Sequence, residues 1–212
     1  MERKVLASRR LYKVELALMI GLALFLASGA MALQTGDQLA DRVVRLHVLA
    51  NSDSEADQAL KLLVRDKVLA QAEALLRQAG DRGEAEALLR DRLPELERTA
   101  RGAVRAAGYG YAVRASLEEM EFPTRVYDGF TLPAGKYLAL RVVIGSGGGR
   151  NWWCVVFPPL CTAAASEVPE TAMAAGLSRD QVGLITEENQ GYVLKSKAVE
   201  WWQQLRSTLD KV

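Results

Sequence analysis

The sequence predicts an α+β fold: one exported domain with a mixed or antiparallel sheet packed by helices, preceded by an N-terminal export segment. Three observations support this prediction. An eleven-residue apolar run, from Leu16 to Leu26, follows a basic segment. Alternating stretches typical of strands are separated by stretches with helical spacing of apolar residues. The 212 residues are 50% hydrophobic and 25% charged, which are the values of folded proteins and exclude wholesale disorder.

Residues 1–32 are predicted to be a signal peptide or an N-terminal membrane anchor, and residues 33–212 the exported domain. Basic residues precede the apolar run and small residues follow it, so signal peptidase could cleave after Ala30 or Ala32. The uncleaved alternative is a helix that extends the uncharged stretch to Leu33, about 27 Å long, at the lower limit for crossing a bilayer. Both alternatives require the Sec export machinery and place the rest of the chain outside the cytosol.

The exported part is close to neutral. Five of the 27 Lys and Arg residues and two of the 26 Asp and Glu residues lie within the first 32 positions, which leaves the remainder with a net charge of −2. A basic footprint is the electrostatic mark of nucleic-acid binding. We therefore expect no nucleic acid among the partners.

The first half of the domain is predicted to be a strand followed by helices. Residues 43–50 alternate with an apolar face on the Val44 side, and the strand stops at Asn51. Two overlapping capping boxes, Ser52 with Glu55 and Ser54 with Asp57, then start a helix that runs to about residue 79. A second helical stretch covers residues 88–107 and is interrupted at Pro94, where a helix would start or kink.

The second half is predicted to be mainly strands. A half-buried strand covers residues 111–118, and a short extended piece contains an Asp128-Gly129 turn. Residues 137–144 and 152–157 are strands that we expect to pair as a hairpin across the glycines at 145 and 147–149. The remaining elements are a helical region at 163–175, a short strand at 192–195 and an amphipathic helix at 197–209.

Cys154 and Cys161 are seven positions apart, and export brings them to an oxidising compartment where they can bridge. Two prolines between them favour the turn that a bridge requires. The alternatives are two buried free thiols or one reactive thiol.

No catalytic, metal or cofactor site is predicted. His47 is the single imidazole, so a Cys–His dyad is formally possible, but a core His47 bonded to the backbone, or a His47 that contacts a partner, explains the residue as well. Asp53, Glu55 and Asp57 lack the spacing of a calcium loop. The glycines at 145–149 precede a strand, whereas phosphate-binding loops open a helix.

Trp152 and Trp153 are adjacent on a predicted strand, so their side chains point to opposite faces. Either both pack in a two-layer core, or one of them faces outward. Because tryptophan is enriched in binding hot spots, the outward one would be a candidate partner contact.

Two long segments carry a resemblance to a known family: RLHVLANSDSEADQALKLLVRDKVL, and FPTRVYDGFTLPAGKYLALRVVIGSGGGRNWWCVVFPPLC. Together with the export signal, they resemble the stage II sporulation protein R family of endospore-forming bacteria. The resemblance implies a signalling protein, not an enzyme. It would be made in the forespore and exported to the space between forespore and mother cell. There it would activate a membrane-embedded aspartic protease, stage II sporulation protein GA, which processes pro-sigma-E.

Six residues are candidate receptor contacts on this interpretation, because their types exceed structural need. They are His47, Asn51, Ser52 and Asp53 at the strand-to-helix corner, and Trp152 and Trp153, with Cys154 and Cys161 fixing the adjacent loop. The alternative functions are an exported cysteine hydrolase that uses Cys154 with His47, and an envelope-binding module.

Overall fold

A computed structural model describes residues 13, 15–23 and 38–186. The chain divides into two units, Met1–Gly36 and Asp37–Val212. In the first, residues 15–23 are helical, and several apolar side chains of this segment are exposed. Within the described ranges, no helix has both the length and the apolar character that crossing a membrane requires. The predicted cleavage sites Ala30 and Ala32, and the elements predicted at 192–195 and 197–209, lie outside the described residues.

In the second unit, residues 38–40 are helical, and six strands and four α-helices follow within residues 44–186. The strands are β1 (Val44–Leu49), β2 (Val113–Phe122), β3 (Arg125–Tyr127), β4 (Phe130–Leu132), β5 (Gly135–Ile144) and β6 (Asn151–Phe157). The helices are α1 (Glu55–Leu76), α2 (Arg82–Ala106), α3 (Val168–Ala174) and α4 (Arg179–Thr186), and a 3-10 turn at Ala165–Glu167 precedes α3. The predicted α+β class is confirmed.

The main sheet is mixed, with the strand order β2-β5-β1-β6. β1 runs parallel to β5 and antiparallel to β6, and β2 runs antiparallel to β5. The predicted hairpin between residues 137–144 and 152–157 is therefore wrong, because β1 lies between these strands. The glycine segment crosses the end of β1 instead, where the Gly148 and Gly149 amides donate to the carbonyls of Asn51 and Ala50 at 3.2 and 3.0 Å.

The sheet is covered on both faces, so β1 is buried along its whole length. The side chains of Leu46 and Val48 face α1 and α2, whose buried apolar residues include Leu60, Val64, Leu89 and Leu96. The other face of the sheet packs against a second layer that includes Leu39, Val43, Phe130, Val168, Val182 and Ile185. The sequence predicted one apolar face for β1, whereas burial on both faces leaves two polar residues of this strand inside the protein.

The two long helices, α1 and α2, form where the sequence predicts helices, and each differs from its prediction in one respect. The Ser54 hydroxyl caps α1 by accepting from the Asp57 amide at 3.2 Å, as predicted. The second predicted box, Ser52 with Glu55, is wrong, because the Ser52 hydroxyl donates to the Asp57 carboxylate. α2 continues through Pro94, since buried residues on both sides of the proline hold it against the sheet. The predicted Asp128-Gly129 turn joins β3 to β4 in a separate two-stranded sheet.

Candidate functional site

Asn51 joins the end of β1 to the glycine segment. We call residues 51–57 the corner and residues 145–149 the glycine loop. The Asn51 carboxamide donates to the Asp57 carboxylate at 2.9 Å and accepts from the Ser146 amide at 3.0 Å. The Ser146 hydroxyl in turn donates to the Asn51 carbonyl at 2.7 Å. One side chain thus fixes the corner and the loop to each other, across 95 positions of sequence.

Asp57 is the buried acceptor on which the corner is built, with 4% of its surface exposed. Its Oδ2 accepts from the Ser52 hydroxyl at 2.6 Å as well as from Asn51. These hydrogen bonds, the one from Ser52 first, lower the pKa of the Asp57 carboxyl because they favour its ionised form. The carboxylate therefore joins Asn51 and Ser52 to the first turn of α1.

Asp53 is an exposed residue of the corner. Its carboxylate accepts from the Arg150 amide at 2.7 Å, and its Oδ1 lies 3.5 Å from the guanidinium Nε of Arg150. More than half of each side chain is exposed. Lys61 of α1 contacts the residue before β6 from the buried side: its ammonium donates to the Arg150 carbonyl at 3.0 Å. Burial lowers the pKa of Lys61. The corner, the loop and α1 are one connected surface.

Trp152 and Trp153 lie on opposite faces of β6, as their adjacency predicts. Trp152 packs against the α1 side, with the Arg65 guanidinium 4.2 Å from its ring centroid. Trp153 packs on the second layer beneath the Arg125 guanidinium, 3.9 Å from its ring centroid. Both rings are partly buried, so the structure matches two-layer packing in which each ring carries an arginine on its outer side.

His47 is buried on the second-layer side of β1, with 5% of its surface exposed. Its Nε2 lies 2.8 Å from the Asn151 carboxamide oxygen. The predicted core position of His47 is confirmed, but the partner of its Nε2 is the Asn151 side chain and not the backbone. Burial, which disfavours the charged ring, lowers the pKa of His47.

The structure does not bring Cys154 and His47 together. Cys154 packs in the α1 and α2 layer, whereas His47 contacts Phe122 and Trp153 on the other face. Cys154 is joined to Cys161 in a disulfide with a Cα separation of 5.9 Å. The Val155 amide donates to the Cys161 sulfur at 2.7 Å, and the Phe157–Pro158 peptide bond is cis. The Cα separation lies in the range that a disulfide spans, and a bridged cysteine presents no thiolate.

Arg45 is the residue that the sequence analysis missed. It is fully buried, and one guanidinium nitrogen donates to the Tyr127 hydroxyl at 2.6 Å. The guanidinium carbon lies 4.0 Å from the ring centroid of Phe122 and 5.0 Å from that of Tyr137. Burial lowers the pKa of Arg45, and no carboxylate of the described residues pairs with it. One feature of the sequence could have indicated Arg45: it lies two residues before His47, and therefore on the same face of the strand.

Comparisons with known proteins agree on one family. The family model described as stage II sporulation protein R matches residues 40–167, which is more than half of the chain. Stage II sporulation protein R of Bacillus subtilis (strain 168) is 38% identical over 121 residues, which are 57% of this chain and 54% of that protein. The chain therefore spans about half the length of this curated relative. No solved structure matches. The matched residues contain the corner, the glycine loop, Trp152, Trp153 and both cysteines.

Proposed function

This chain belongs to the stage II sporulation protein R family, and from that premise we propose that it is an intercellular signal in sporulation. In this proposal the forespore makes the chain and exports it through the Sec machinery into the space between forespore and mother cell. Its target is the membrane-embedded aspartic protease of the mother cell, stage II sporulation protein GA. The activated protease then processes pro-sigma-E.

The observation that carries the proposal is the family match over residues 40–167. The geometry of the matched region supports a role that rests on shape. The polar side chains of the corner bond to one another and to the glycine loop, and the two cysteines are joined. A surface fixed in this way is suited to recognition, because little conformational entropy is lost when a partner binds it.

Activation by binding has a physical requirement. A ligand shifts a protease toward its active arrangement only if it binds that arrangement more tightly than the inactive one. A preference of about 2.7 kcal/mol shifts the equilibrium by about 100-fold. A modest rigid patch can supply this preference.

We place the receptor contact at the exposed side of the corner. Asp53 and Arg150 form its exposed ion pair, and Trp152 with its covering Arg65 lies on the same side of the sheet as α1. Asn51 and Ser52 act as positioning residues in this proposal, since their side chains are used within the corner. His47 and Trp153 belong to the opposite face.

Gene deletion tests the proposal. In sporulating cells that lack the gene, the pro-sigma-E precursor should stay uncleaved on an immunoblot, and the wild-type gene expressed in the forespore should restore cleavage. Normal cleavage in the deletion strain would refute the proposal. The contact site is tested separately by Asp53→Ala and Trp152→Ala, with the exposed Arg90→Ala on α2 as the matched control. The two contact variants should accumulate at wild-type levels and lose cleavage, whereas the control should keep it.

A further inference from the structure

A cleft lies between the C-terminal end of α1, the chain that follows β6, and α3. Its volume is about 640 Å³, which is within the range of sites that hold a small molecule. The buried part of its lining is apolar and includes Leu76, Val156 and Phe157. Such a lining suits a ligand that has an apolar part, because apolar surface gains free energy when it leaves water.

Two bonds fix the walls of the cleft to each other. The Thr162 hydroxyl donates to the Glu73 carboxylate at 2.8 Å, which joins the chain after β6 to α1. The disulfide between Cys154 and Cys161 ties the same part of the chain back to β6. The cleft is therefore formed before any ligand arrives, so that binding costs little conformational entropy of the protein.

The polar part of the lining is acidic. Glu73, Glu167 and Glu170 line the cleft together with a single cation, Arg77. Within the described part of the chain, none of these four side chains forms an ion pair, whereas exposed glutamates on α2 pair with arginines one turn away. Three carboxylates and one guanidinium give the mouth of the cleft an excess of two negative charges. This excess favours a cation.

We propose that this cleft binds an arginine or lysine side chain of the membrane partner. The inference rests on the proposed function, to which it adds a second contact at the other end of α1, about 27 Å from the corner. Arginine and lysine combine an apolar stem with a charged end, and the cleft shows the same division between its buried and exposed lining. An acidic side chain would meet like charges there, and an apolar one would leave the carboxylates without a counter-charge.

Thermal unfolding of the full chain in mild detergent tests the cleft with three probes that share a ring and differ in charge. Benzamidine is a cation with a planar end like that of arginine, benzamide is neutral, and benzoate is an anion. Each is added at about 10 mM and at equal ionic strength, so that screening is the same. We expect benzamidine to raise the Tm of the wild type by about 2 °C or more above benzamide, and benzoate to raise it no more than benzamide does.

Two variants change the cleft at exposed positions, so both should fold. Glu167→Gln combined with Glu170→Gln removes two carboxylates and keeps their size, and Ala174→Trp fills the cleft; each should abolish the rise with benzamidine. The matched control, Glu121→Gln, changes an exposed glutamate on β2, the edge strand opposite β6, and should keep the rise. The site is refuted if benzamidine and benzamide raise the wild-type Tm equally, if both cleft variants keep the rise, or if the control loses it.

The same variants separate this inference from the proposed function. In a deletion strain, the wild-type and Glu121→Gln genes should restore precursor cleavage, and the genes of the two cleft variants should restore less than about a tenth of it. If all four genes restore cleavage equally, the contact at the cleft is wrong and the signalling function stands. If the wild-type gene has no effect, the signalling function is wrong and the cleft has no receptor to contact, whatever its preference among the three probes.

Discussion

The Asn51 carboxamide occupies the space beside Gly145 that a side chain at position 145 would need. A Cβ atom there would overlap the Asn51 side chain, and Gly145 has a φ of 60°. The same carboxamide oxygen accepts from the next amide, that of Ser146, at 3.0 Å. The end of β1 and the end of β5 are therefore fitted to each other, and the glycine loop is a shaped part of the corner.

Gly149→Ala should destabilise the protein because its Cβ would overlap the backbone carbonyl of Ser52, which cannot move without displacing the corner. We expect a loss of about 1–3 kcal/mol in the free energy of unfolding, measured by chemical denaturation. Gly148→Ala is the matched control, since a Cβ there would lie 3.4 Å from its nearest neighbours, and its effect should stay within about 0.5 kcal/mol. Equal losses in both variants would contradict the close approach of the loop to the corner.

Asn51→Ala should also destabilise the protein. The change leaves the Ser146 amide without its acceptor and removes one of the donors to the buried Asp57 carboxylate. The expected loss is about 1–3 kcal/mol, measured by the same denaturation. Asn51→Asp serves as the control for size: it keeps an acceptor for Ser146 but places a second carboxylate beside Asp57, so it should not rescue stability. A fully stable Asn51→Ala protein would mean that Asn51 is free to contact a partner directly.

The elements of this fold were predictable where the signal is local. Alternation within β1, β2 and β5 and the Ser54 cap of α1 depend on neighbouring residues. Strand order is not a local property, because β1 pairs with β5 and β6, whose residues lie about 90 to 110 positions further along the chain. Nothing in the sequence of the glycine loop indicates that β1 will lie between β5 and β6. The hairpin prediction was wrong for that reason.

The candidate site divides in the same way. His47, Asn51, Ser52 and Asp53 were chosen because their residue types exceed structural need at a strand-to-helix corner. Arg45 lies on the face of β1 opposite the predicted apolar face, and no role was predicted for it. Its burial depends on the second layer, formed by β3, β4, α3 and α4, and a single strand carries no sign of what will cover it.

Loss of the disulfide should lower stability by a modest amount. The chain-entropy model gives about 2.5 kcal/mol for closing a loop of this length. A double variant, Cys154→Ala with Cys161→Ala, should show that loss in chemical denaturation, and reductant should produce the same loss in the wild type but none in the variant. Free thiols in the unreduced wild type, detected by alkylation and mass measurement, would contradict the bridge.

Stability should fall as the pH is lowered through the titration of His47. Burial depresses the pKa of His47 in the folded state below its ordinary value of 6.5, so the unfolded chain binds more protons just below pH 6.5. The stabilising contribution of the neutral ring is thus complete above pH 6.5 and is lost as the pH falls toward the folded pKa, with a slope of at most about 1.4 kcal/mol per pH unit.

Because His47 is the single histidine, no other imidazole titrates when denaturation is measured between pH 7.5 and pH 5. Asp57 also has a lowered pKa, but its ordinary value is 3.8, so its contribution is lost only at more acidic pH. His47→Gln, which can still hydrogen-bond to Asn151 but does not titrate, should flatten the profile in this window. A wild-type profile that is equally flat would contradict the lowered pKa of His47, and one that rises toward pH 5 would show that the folded protein favours the protonated ring.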